Sequence, residues 1–152
     1  MKNTRGKVFK LFAKIFLYFL LLTILFSFST IVLHELGHFI FGLYVGCRPV
    51  KIVLFDTSIM TTYTEMECLP TVNMHLLGIS GFFVVLPISL LYFLISKGGE
   101  KYLALIMIGF NFVISVNDFD IYLKFPFPQV FAIIGSLLII LGEILLIEKT
   151  IF

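Results

Sequence analysis

The sequence predicts an all-α membrane protein: a bundle of about four transmembrane helices with a small β-hairpin between the first and the second. Three observations predict it. Of 152 residues, 60% are hydrophobic and 13% charged, where a soluble domain is nearer half apolar and a quarter charged. Four long apolar stretches alternate with short polar breaks, and each is long enough to cross a hydrocarbon core of about 30 Å. Between the first and second of them the composition turns to β-branched and polar residues. The chain is too short for a second domain, so residues 1–152 are read as one membrane-embedded unit.

Residues 1–7 are polar and basic, and the first helix is expected over 8–45. Its 38 residues would run about 57 Å, more than one straight crossing needs. Ser27, Ser29 and Thr30 are the place where it would bend, because hydroxyls bond back to the carbonyl four residues earlier. Gly46 is placed to end it. The cluster Lys2, Arg5, Lys7, Lys10 and Lys14 precedes this span, which argues for a cytoplasmic N-terminus. It resembles the start of a signal peptide, but the apolar run behind it is far too long for one, so no cleavage is expected. The formal charge is +2, and nothing in its distribution suggests a nucleic-acid partner.

The hairpin is expected over 47–68. Val50, Ile52, Val53 and Leu54 are β-prone, Asp56-Thr57-Ser58 is a turn, and Ile59 to Glu67 mixes Thr, Tyr and Met with two acids. An open sheet edge cannot face lipid, so the hairpin lies at the surface or packs against the helices. Cys47 and Cys68 flank it and are read as free thiols; a disulfide there would require an oxidising compartment. The second span is expected over 72–96, with Gly78, Ser80 and Gly81 for close helix approach and Pro87 as a kink. A polar turn, Lys97 to Lys101, leads into a third span over 102–124. Pro126 and Pro128 break it from a fourth over 129–147.

Inside the first span lies His34-Glu35-Leu36-Gly37-His38. Residues i and i+4 project from one side of a helix, so both imidazoles can reach one metal ion, with Glu35 beside them to take a proton from a metal-bound water. Between Leu11 and Val45 almost nothing else is polar apart from Lys14 and a few hydroxyls. Three ionisable groups at that depth cost about 2.5–3.5 kcal/mol each on insertion scales, which marks a functional site. A catalytic zinc site takes three protein ligands. The candidates for the third are His75, Glu65, Glu67, Asp118 and Asp120. Asp118 is preferred and Asp120 second, because an acid pair on the third span needs a partner there.

These features together resemble the site-2 protease family of intramembrane zinc metalloproteases. The resemblance covers about residues 25–125. It rests on the HExxH on a transmembrane helix, a hairpin after it, Gly81 on the second span, and Asn111 followed by Asp118 on the third. Three departures are a Phe at 119 where that family has Gly, no Pro between Asn111 and Asp118, and no Pro after Gly81. The resemblance implies Zn2+ on His34, His38 and Asp118, with Glu35 as the general base. It implies an endopeptidase acting on a membrane-spanning or membrane-associated peptide, in a multi-pass protein of a prokaryotic cell membrane. The alternative is a catalytically inactive relative that binds or regulates membrane partners. A metal transporter would carry more polar residues across several spans, often with a repeat, and this chain has neither.

Overall fold

The computed structural model describes residues 2–58 and 61–151. Helix α1 spans Lys2–Tyr44, so it starts earlier than residue 8. It passes Ser27, Ser29 and Thr30 as one element. Their hydroxyls donate to the carbonyls of Thr23, Leu25 and Phe26 at 2.6, 2.9 and 2.7 Å and so leave no orphan group for lipid to meet. Gly46 ends the helix in the left-handed region, φ 86°. The Cys47 amide reaches back to the Gly42 carbonyl and the Gly46 amide to that of Leu43, which satisfies the last turn.

Strands β1 (Arg48–Asp56) and β2 (Thr61–Glu67) pair antiparallel as the hairpin. The pairing slips between Pro49 and Lys51 and again between Val53 and Asp56. The turn is held by the Asp56 carboxylate, which accepts from the Ser58 amide at 2.8 Å; residues 59 and 60, part of the second strand expected from the sequence, lie outside the described residues. Cys47 and Cys68 form a disulfide at the base of the hairpin, which corrects the reading of them as free thiols. Proximity is the reason: the end of α1 and the end of β2 meet there, with Cys47 buried. The hairpin does not extend away from the bundle. Cys68 joins Cys47, Met66 packs on Gly42, and Thr64 bonds Glu35. These contacts step back along α1, so β2 lies beside its C-terminal turns.

Helix α2 spans Met74–Ile95 with Pro87 inside it. It starts where the Asn73 side chain accepts from the amides of His75 and Leu76 at 3.0 and 3.3 Å. A 3-10 turn at Gly98–Tyr102 precedes α3, Leu103–Ile114. The expected third span is not one helix. It breaks at Ser115, whose ψ of −1° departs from the helical value near −42°, and resumes as α4, Val116–Ile121. At 12 residues α3 reaches about 18 Å, short of a bilayer core. Helix α5, Gln129–Ile151, closes the chain. Among the described residues, three helices, rather than four, are by themselves long and apolar enough to cross a membrane, within α1, α2 and α5.

The helices approach through glycine. A Cβ on Gly109 would fall 2.5 Å from the Gly135 carbonyl oxygen, so α3 and α5 touch backbone to backbone. A small core of Phe19, Leu103, Ile106 and Leu146 ties α1, α3 and α5 together. Nearer the other end, Phe82, Phe112, Phe119 and Phe131 pack ring against ring, with Phe119 and Phe131 centroids 4.2 Å apart. Phe119 is 6% exposed. This cluster anchors the short α4 and decides which way its acids turn.

Candidate metal centre

Helix α1 supplies His34 and His38 one turn apart, and α4 brings Asp118 against them. His34 Nε2 lies 2.9 Å from Asp118 Oδ2 and 3.1 Å from His38 Nε2; His38 Nε2 lies 3.4 Å from Asp118 Oδ2. The three donor atoms therefore form a nearly equilateral triangle. A tetrahedral zinc with bonds of about 2.0–2.1 Å needs its ligand atoms roughly 3.3 Å apart. These three residues are a group that could hold a metal ion.

The protonation pattern points the same way. His34 Nδ1 sits 3.1 Å from Asn111 Oδ1, and His38 Nδ1 sits 2.9 Å from the Leu77 carbonyl. Both partners are acceptors, so each imidazole carries its proton on Nδ1 and turns a lone pair inward from Nε2. Asn111 is itself fixed, because its Nδ2 donates to the Phe82 carbonyl at 3.1 Å. Two lone pairs and a carboxylate oxygen then face one another in a buried space. They repel unless a proton or a metal cation lies between them. Ser80 also approaches His38 Nδ1, at 3.2 Å, while donating to Leu77.

Gly81 makes room for this. A Cβ there would lie 2.7 Å from the Nε2 atoms of both histidines. On the same helix pair, a Cβ on Gly37 would lie 2.8 Å from Gly81 Cα, so the two glycines let α2 close on the motif.

Glu35 is 2% exposed. Thr64 of β2 donates to its Oε2 at 2.7 Å. Among the described residues no group bonds its Oε1. A cleft of about 110 Å3 opens beside it, lined by Glu35, His38, Asp118, Tyr122 and the β2 residues Thr62 and Thr64. The strand that borders the site is thus β2. Strand β1 pairs with it, and the two make a two-stranded sheet.

The other candidates stand apart. Asp120 is exposed, and so is His75, whose Nδ1 bonds the Tyr122 carbonyl. Glu65 pairs with Lys51 at 3.1 Å, and Glu67 is exposed. Thr64 and Tyr122 escaped the sequence reading. Thr64 shares a strand face with Thr62 and Met66, a spacing that carries no chemical signature. Tyr122 follows Asp118 by one helical turn, a signal that has meaning only once Asp118 is placed. Comparison with protein-family models, with curated proteins and with solved structures finds no match.

Proposed function

We propose that the chain is a membrane-embedded zinc endopeptidase, similar to the site-2 protease family, that cleaves a membrane-spanning or membrane-associated peptide. The observation that carries this is the Glu35 carboxylate with one oxygen held and the other open, in the same cleft as the His34, His38 and Asp118 triangle.

His34, His38 and Asp118 would hold the zinc, which when bound acidifies water and polarises a carbonyl. Asn111 and the Leu77 carbonyl keep both rings in the ligating tautomer. Glu35 Oε1 takes the water's proton and later delivers it to the leaving amine. Thr64 holds Glu35 Oε2 on the β2 side of the cleft. A substrate must arrive unwound, because a helix hides its carbonyls in hydrogen bonds. The outer edge of β2 can take such a segment by strand addition, with Thr62 and Thr64 on that strand lining the cleft.

The break at Ser115 fits a fourth crossing built from two pieces. Leu103–Ile121 covers 19 residues, about 28 Å. It runs from the turn at Gly99, which packs on Lys149 and Thr150, to Tyr122, which packs on Gly78. The disulfide supports a hairpin on the oxidising side of the membrane, in keeping with a cytoplasmic basic N-terminus.

The test is Glu35→Gln, purified in detergent beside the parent chain. It is expected to keep its zinc and to lose at least about 100-fold in cleavage of a membrane-anchored peptide. Full activity in the variant removes Glu35 from the mechanism. Zinc in the parent chain with no cleavage of any peptide would identify an inactive relative that binds membrane partners.

A further inference from the structure

Peptide hydrolysis develops a negative charge on the carbonyl oxygen, which a hydrogen-bond donor in the cleft can stabilise. Glu35 and Asp118 are acceptors, and both histidines direct their N–H groups away from the cleft. Thr64 commits its hydroxyl to Glu35, and Tyr63, a phenol that also lines the cleft, bonds Asp56 at 3.3 Å. Tyr122 is different. It lines the cleft with Glu35, His38 and Asp118, and its hydroxyl meets no partner among the described residues.

Its position is built from three sides. Tyr122 caps α4 in helical geometry, φ −91° and ψ −39°, one turn after Asp118, so the two side chains leave the helix on one side. Its ring lies on Gly78, where a side chain would collide with it. Its carbonyl is bonded by His75 Nδ1, which gives that histidine a positioning role instead of a ligand's.

We propose that Tyr122 is a further catalytic residue, whose O–H donates to the scissile carbonyl oxygen as that oxygen becomes an oxyanion. The inference rests on the hydrolase reading above. As water attacks, the new C–O bond forms, the carbonyl π pair moves to oxygen, and Glu35 takes the water's proton. As the C–N bond breaks, the oxyanion pair re-forms the carbonyl, and the nitrogen leaves with the bonding pair and the proton from Glu35. Tyr122 lends a hydrogen bond throughout and keeps its own proton.

The experiment compares the parent chain with Tyr122→Phe, which removes one oxygen and leaves the ring on Gly78. Zinc content, kcat and KM on a membrane-anchored peptide, and inhibition by N-phosphoryl-leucinamide, a tetrahedral anion, are measured together. The expected result is unchanged zinc, KM within about twofold, kcat lower by about 100-fold, and inhibitor binding weaker by about tenfold. A kcat within about threefold of the parent overturns the proposal, as does a rise in KM alone. Loss of zinc would make the residue structural and also overturns it. An inert parent chain fails the hydrolase reading itself, and this inference with it.

Discussion

Asp118 and Asp120 differ by two positions, about 200° around a helix, and only one of them reaches the histidines. Phe119 between them is the reason. Its ring is locked among Phe82 and Phe131, so Asp118 is turned to the imidazoles and Asp120 to the exterior. Asp118→Ala is therefore expected to weaken zinc binding by more than the roughly 10–100-fold that loss of a supporting partner costs. Asp120→Ala should leave it unchanged, as read by zinc content after dialysis. In the sequence both histidines and the glutamate were legible, because their spacing alone encodes one helix face. The acid's register was not, because nothing local says where Phe119 goes. Asn111 was legible only as part of the family resemblance, and not as the group that sets the His34 tautomer.

The hairpin is the element on which the base depends. The disulfide closes a loop between positions 21 residues apart, which restrains the unfolded chain by about 3 kcal/mol. The ligands lie outside that loop, on α1 and α4. The double variant Cys47→Ser with Cys68→Ser is thus expected to keep zinc while amides of 61–67 exchange faster with solvent and cleavage falls. Hydrogen exchange and zinc content on the same sample check it; slow exchange in the variant would show that the disulfide does not hold the strand. The hairpin's existence followed from β-branched residues around a polar turn. Its pairing cysteines did not, since two thiols at its ends are equally compatible with separation. The third span's division into two helices was not legible because its apolar content is continuous across Ser115. Only the backbone shows the turn there.

At the scale of the molecule, the bundle is held by close backbone contact more than by a large core. Gly109 and Gly135 let α3 and α5 meet, and α3 leads directly into α4 and its acid. Gly109→Ala must push the Gly135 carbonyl away and is expected to cost about 1–3 kcal/mol, measured by denaturant titration in detergent. No loss would mean that α5 shifts without penalty. The membrane class was plain from composition, because apolar content and charge scarcity act over the whole chain. Packing through paired glycines was not, since which glycines oppose one another depends on helix rotation.

The triangle joins positions 84 residues apart in the chain, and that separation has a consequence in time. Ribosomes extend a chain at about 5–20 residues per second, so α1 enters the membrane roughly 4–17 s before α4 is made. Throughout that interval the nascent chain has a histidine pair and a glutamate but no third donor. The triangle can be completed only after α2 and α3 have been made.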